Sequence, residues 1–247
     1  MFNPSFRHSP SSPGPNSGIS DFLRQKKILF YHRDFKKELD LHSTTFRQAW
    51  KFAQSIPDDW YFYPKFKSLN WMTPIILVDE AKLDGGYIRA EVFTYSKSHR
   101  MTYTLRVEEK TYFIKETSCN KPLGRWGPFE MAGLLDLVNI APDNVKIVLA
   151  LASLSDGKKS MIVSDFLPMK FQTATLEDPL YTVYSNFVNA AVELGYWELG
   201  GDNFFFDKRS QIVYAYDPFC NMSDAKNISN LLRVASLNPD YILNTNF

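Results

Sequence analysis

Residues 101–141 read MTYTLRVEEKTYFIKETSCNKPLGRWGPFEMAGLLDLVNIA, and two hydrophobic periods meet in them. MTYTLRVEE (101–109) and KTYFIKET (110–117) are rich in β-branched and aromatic residues, the pattern of successive antiparallel strands. From Gly127-Pro128 onward, GPFEMAGLLDLVNIA places apolar residues on one helical face, with proline in the first turn, where no N–H is needed. YIRAEVFTY (87–95) adds a strand before these elements. VKIVLALAS (145–153) and KSMIVSDFLP (159–168) add two after them, joined by the turn-like Ser155-Asp156-Gly157-Lys158. The order β-β-β-α-β-β predicts an α+β unit with a five-stranded antiparallel sheet and one helix.

Beyond a polar linker, PLYTVYSNFVNAAVELGYW (179–197) reads as a long amphipathic helix ending near Gly195. A loop, ELGGDN (198–203), leads into a hairpin, NFFFDKRSQIVYAYD (203–217), with DKRSQ as its turn. SDAKNISNLLRVASLNPDYIL (223–243) carries one more helix, capped by Ser223 or Asp224. On the N-terminal side, FLRQKKILFYHRDFKKEL (22–39) and TTFRQAWKFAQSI (44–56) fit two amphipathic helices. IPDDWYFYPKFKSLNW (56–71) is expected to be a connector, and the Pro- and Ser-rich residues 1–18 a flexible tail. The expected organisation is a disordered tail over 1–20, a helical basic and aromatic extension over 21–75, a strand-rich lobe over 76–168 and a reduced, mainly helical lobe over 169–247.

Composition narrows the function classes. The 247 residues are 45% hydrophobic and 22% charged, ordinary for a globular chain with a proper core. A net charge of +1 gives no whole-chain field towards nucleic acid or anionic membrane. Residues 21–71 hold ten basic against six acidic side chains, a pattern that could bind single-stranded nucleic acid but that any solvated helix face over an aromatic core also shows. No apolar run is long enough to span a membrane, and the first residues lack the apolar core of a signal peptide, so a soluble, cytoplasmic protein is expected. Cys119 and Cys220 form no CxxC pair and read as reduced, buried thiols. His8, His32, His42 and His99 lack metal or triad spacing, which leaves a zinc hydrolase or a Ser-His-Asp enzyme nothing to build on. Trp126, Trp197 and Phe204–Phe206 are expected in the core.

Three polar positions carry chemistry. Lys115 ends the third predicted strand, in YFIKE, and can offer a point charge to nucleotide phosphates. Asn203 and Asp217 stand at the two ends of one hairpin, so their oxygens converge, as a hard cation such as Mg²⁺ requires. Each alone has an ordinary reading as a surface lysine or a turn former.

With those residues in view, the chain resembles the protein-kinase-like superfamily, including aminoglycoside phosphotransferase-like and small bacterial and phage kinases. FIK (113–115) looks like the strand lysine motif, ELGGDN (198–203) like the catalytic loop, and DPF (217–219) like the D-F-G-type aspartate. The resemblance covers roughly residues 86–235. It implies a bilobal fold, ATP and Mg²⁺ as cofactors, Glu130 on the following helix as the partner of Lys115, and Glu198 in the place of the catalytic aspartate. Tyr196 and Trp197 replace the usual histidine and arginine, and Asp202 is a second carboxylate facing away.

No glycine stands in SKSHR (96–100), where the family has its glycine-rich loop, so Lys97, His99 or Arg100 would supply charge to the phosphates instead. Gly85-Gly86 would cover the phosphates under a shifted register. Thirty residues follow Asp217, so neither an activation segment nor a docking lobe is expected. Acceptor recognition would then fall to the basic N-terminal region or to a protein partner. Two alternatives stand beside a phosphotransferase acting on a protein or small-molecule hydroxyl. One is a pseudokinase serving as a binding module; the other, less favoured, is a nucleic-acid adaptor.

Overall fold

Alternation along one strand organises the molecule. In the strand Lys110–Ser118, Ile114 and Glu116 face one side of a sheet and Lys115 the other, as the two-residue repeat of a β-strand dictates. In this computed structural model the described residues are 26–56, 75–93, 101–119, 121–166, 180–199, 203–207 and 209–245. The predicted tail, the connector beyond Ile56 and the linker before residue 180 lie outside them.

The elements are β1 (Ile28–His32), α1 (Phe35–Leu41), α2 (Ser43–Ser55), β2 (Ile75–Leu83), β3 (Gly86–Phe93), β4 (Thr102–Val107) and β5 (Lys110–Ser118). A short 3₁₀ turn (Leu123–Arg125) leads into α3 (Gly127–Val138), followed by β6 (Val145–Ile147), β7 (Ala150–Ser155) and β8 (Lys159–Asp165). The rest is α4 (Leu180–Glu193), β9 (Tyr196–Trp197), β10 (Phe204–Asp207), β11 (Ile212–Ala215), β12 (Phe219–Cys220), α5 (Asp224–Leu237) and β13 (Tyr241–Asn244).

The predicted β-β-β-α-β-β order stands, but the sheet is larger than five strands. Eight antiparallel strands run in the order β13-β1-β7-β8-β5-β4-β3-β2. Three additions account for the difference. Residues 28–32, expected as helix, form β1 between β13 and β7, where Phe30 packs on one face and Tyr31 on the other. An apolar run with both faces buried has no period to distinguish strand from helix. β2 pairs with β3 through the turn at Asp84-Gly85, Gly85 having φ +75°. β13 carries the C-terminal segment into the sheet, away from the helical lobe in which it was expected. VKIVLALAS divides as well: β6 pairs in parallel with β11, whereas β7 belongs to the large sheet.

Helices cover both faces. On the Ile114 face α1 and α2 pack through Phe35, Ala49 and Ala53, with Phe35, Phe46 and Tyr112 in mutual ring contact. On the Lys115 face lie α3 and α5, through Phe129, Leu134, Leu231 and Val234. A third cluster joins the end of α3 to α4, β9–β12 and β6, around Leu137, Tyr184, Phe187, Tyr196, Val213 and Cys220. α3 therefore serves two cores, which explains why it is buried nearly all round and not on one stripe as expected. Among the described residues no helix is long and apolar enough to cross a membrane.

The α2 contact is fastened by a buried charge. Lys159 donates to the carbonyls of Ala53 (3.0 Å) and Ile56 (2.6 Å) at the end of α2 and to Glu116 Oε1 (2.7 Å), and Tyr103 donates to the other Glu116 oxygen. A cation at a helix C-terminus also meets the negative end of the helix dipole. Replacing Lys159 with Met leaves a buried carboxylate without this cation, so the Lys159→Met protein should lose about 3–5 kcal/mol in a urea unfolding titration.

Candidate active site

The site is assembled where α3 lies between the sheet and a two-stranded ribbon. β9 and β12 pair antiparallel, with Phe219 opposite Trp197 and Cys220 opposite Tyr196. That register brings the residue after Trp197, Glu198, alongside the turn before Phe219, which holds Asp217. The two ends of the β10–β11 hairpin meet at the same place, because Tyr216 N donates to Asn203 O at 3.1 Å. The predicted hairpin is present, Asp207 pairing with Ile212 and residues 209–211 lying in its turn.

Close approach of α3 requires glycine at two points. A Cβ on Gly127 would stand 2.3 Å from the Met161 carbonyl oxygen of β8, and one on Gly124 would stand 1.9 Å from the Cys220 carbonyl oxygen of β12. Neither backbone oxygen can yield as a side chain would. Polar links add to this packing. Tyr196 donates to Asp136 of α3 (2.6 Å) and accepts from Asn230 of α5 (2.8 Å), while Arg233 pairs with Asp136 at 2.7 Å. Burial and the bond to Asp136 push the Tyr196 phenol up, so it stays a donor. Cys220 is fully buried with its thiol 3.4 Å from the Phe129 carbonyl; burial first, then the carboxylates of Glu130 and Asp136, push its ionisation up.

Lys115 occupies the centre. It sits on an interior strand, in register with Thr102 of β4 and Ile162 of β8, and its ammonium bonds Glu130 of α3 and Asp217 Oδ1, the latter at 2.6 Å. Lys115 and Glu130 are buried, at 8% and 3% exposure, and the Asp217 side chain is 24% exposed. The expected Lys115–Glu130 pair is thus present, and Asp217 joins it from 102 residues away.

Asn203 bonds through Nδ2 to the carbonyl of Glu198, an orientation that turns its amide oxygen away from that contact. Glu198 is held by Arg125 at both oxygens, NH1 to Oε2 at 3.0 Å and NH2 to Oε1 at 2.5 Å, and the guanidinium lies 4.2 Å from the centre of the Phe219 ring. Sequence reasoning missed Arg125, since a lone arginine in a 3₁₀ turn has no local signature, and with it the contact that Phe219 of the DPF motif makes. Both loops are conformationally unusual. Glu198 has φ +65°, and Asp217 has φ +55° although a proline follows it and favours extended backbone. Such residues cost on the order of 1–3 kcal/mol each and persist where their surroundings hold them.

Other expected positions fall elsewhere. Lys97, His99, Arg100 and Asp202 lie outside the described residues. Gly85-Gly86 stand at the far end of the sheet from Lys115, since Gly86 is opposite Val107 while Lys115 is opposite Thr102, which is opposite Glu91. Their turn is bound instead by α2: Thr45 donates to the Asp84 carbonyl, and Asp84 N donates to Gln48 at 2.7 Å. α1 and α2 as a whole lie on the sheet face away from Lys115. Trp126, Phe205 and Phe206 are in the core as expected, but Trp197 is 42% exposed, because its partner on the same ribbon, Tyr196, takes the inward face. Among the described residues no group of three His, Cys, Asp or Glu forms a metal cluster.

No family model matches the chain, and no curated protein matches it. Among solved structures it is similar to the kinase PK-1 of Cydia pomonella granulovirus, at 9% identity and a TM-score of 0.30 over 58% of this chain and 53% of that one. It is also similar to Rad53 in complex with AMP-PNP, at 15% identity and a TM-score of 0.31 over 58% of this chain and 37% of that one. The chain thus spans about half of the first and just over a third of the second. At these scores the assignment of a function rests on the side chains.

Two outcomes check this geometry. Gly124→Ala forces the 3₁₀ turn off β12 and should lower stability by about 1–3 kcal/mol on thermal unfolding. Cys220 should resist a thiol reagent at pH 8 in the native protein and react once the chain is unfolded in guanidinium.

Proposed function

We propose that the chain is an ATP- and Mg²⁺-dependent phosphotransferase of the protein-kinase-like fold, acting on a hydroxyl of a protein or small molecule. The observation that carries this reading is the Lys115 ammonium held between Glu130 and Asp217. An ammonium on a sheet strand, fixed by a carboxylate from the next helix, is the arrangement that presents a positive charge to a nucleotide's phosphates. The β-β-β-α-β-β order and the chain order of Lys115, Glu130, Glu198, Asn203 and Asp217 support it.

The donor set fits the implied groups. Asp217 offers a carboxylate and Asn203 an amide oxygen from the two joined ends of one hairpin, and hard oxygen ligands of this kind suit Mg²⁺, which keeps most of its shell for water and phosphate. Asn203 and Asp217 would hold the metal and Lys115 the α and β phosphates; the bound metal supplies neutralisation of phosphate charge. Glu198, 44% exposed, faces solvent where an acceptor can enter and would orient the acceptor hydroxyl or take its proton. Lys97 and Arg100 remain proposed phosphate contacts from the segment between β3 and β4.

A second reading, a nucleotide-binding module without transfer, is favoured by one contact: both oxygens of Glu198 are already engaged by Arg125. One pair of measurements separates the two. ATP with Mg²⁺ should raise stability by about 2.7 kcal/mol at a hundredfold excess over the dissociation constant. Lys115→Met should abolish that gain, and Asp217→Asn should remove its Mg²⁺ dependence. Incorporation of labelled γ-phosphate should fall roughly a hundredfold or more in Glu198→Gln with nucleotide binding retained. A stabilised parent that incorporates no label would select the second reading. No stabilisation at millimolar nucleotide would refute both.

A further inference from the structure

We infer that Arg125 is the positioning residue for Glu198, an inference that rests on the reading of Glu198 as the acceptor-side carboxylate. Three contacts place it in that role. The 3₁₀ turn that carries Arg125 is seated on β12 by the close approach at Gly124. The guanidinium carbon stands over the Phe219 ring, 4.2 Å from its centre. Its two parallel N–H bonds then fix both oxygens of Glu198, at 3.0 and 2.5 Å.

Glutamate explains the need for such a clamp. Its side chain has one more rotatable bond than aspartate, so its carboxylate sweeps a larger volume unless something removes that freedom. On this ribbon the backbone of residue 198 is also in the left-handed region, and the Asn203 amide bonds its carbonyl. Backbone and carboxylate are therefore each held separately. The pairing does not close the group. A carboxylate offers about four lone-pair directions and a bidentate guanidinium uses two, which leaves acceptor capacity towards a hydroxyl. A fork of two parallel donors does this; a lysine, a point charge, holds distance but not orientation.

Arg125 also reports on both loops at once, since Phe219 follows Asp217 by two residues and Glu198 lies on the neighbouring strand's continuation. Losing it should disturb the acceptor side and leave the buried Lys115–Glu130 pair intact.

The test compares the parent with Arg125→Gln, Arg125→Lys and the exchanged pair Arg125→Glu with Glu198→Arg. Turnover in Arg125→Gln should fall about a hundredfold, the loss expected from a misplacement near 1 Å, while the ATP KM and the stabilisation by ATP and Mg²⁺ stay at parent values. Arg125→Lys should not restore turnover. The exchanged pair should return amide hydrogen exchange at residues 196–199 to the parent rate and, lacking the carboxylate at 198, should not restore transfer, whereas an ion pair that merely braces the fold, with no part for Glu198 in transfer, would restore both. Parent-level turnover in Arg125→Gln, or full recovery in Arg125→Lys, overturns the inference. If the parent transfers no phosphate, the reading of Glu198 fails, and exchange at 196–199 still judges Arg125: equal rates in the parent and Arg125→Gln would refute its positioning role.

Discussion

An ammonium group on an interior strand cannot be left alone. Lys115 sits on β5 with strands on both sides, and burying its charge without compensation would cost several kcal/mol. The chain meets this requirement with Glu130 from the next helix and Asp217 from a turn more than a hundred residues on. Those two contacts fix the rotation of α3 about its axis and the approach of the β9–β12 ribbon. A helix rotated by one residue would carry Glu130 about 100° off the lysine and place an apolar side chain there instead.

The rest of the architecture makes that meeting possible. α3 is pressed between two surfaces, and glycine at 127 and 124 removes the Cβ atoms that would hold it off β8 and β12. Half-buried polar links from Tyr196, Asp136 and Asn230 then join α3, the ribbon and α5. On the opposite face, Lys159 fastens α2 to Glu116, the residue next to Lys115. Neighbouring positions of one strand thus anchor the two sides of the molecule, a consequence of side chains alternating across a sheet. The strain concentrated at Glu198 and Asp217 lies where these surfaces converge, in loops held from several directions.

Legibility varied with the range of the interaction responsible. β3, β4, β5, α3, β8, α4, the β10–β11 hairpin and α5 each announce themselves through local period and turn residues, whereas the pairing of Lys115 with Glu130 is implied by the family resemblance. β1 and β13 do not. ILFY at the start of β1 shows no alternation because both its faces are covered, and YILN is short and follows a helix, so only the partner strands make them part of a sheet. The division of VKIVLALAS has the same origin, since its first three residues find β11 and its last find β8. Ser223 marks the start of α5 as expected, though its hydroxyl makes no capping bond.

Local chemistry by itself singled out Lys115, Asn203 and Asp217 and the order of the elements that carry them. It also determined the buried, reduced state of Cys119 and Cys220. Tertiary structure alone decided that Asp217 would reach Lys115, that Arg125 would take both oxygens of Glu198, and that Trp197 would face outward. Those outcomes depend on the register of a two-residue ribbon and on backbone contacts at glycines. Such contacts arise between segments far apart in the chain and leave no periodic trace in either one.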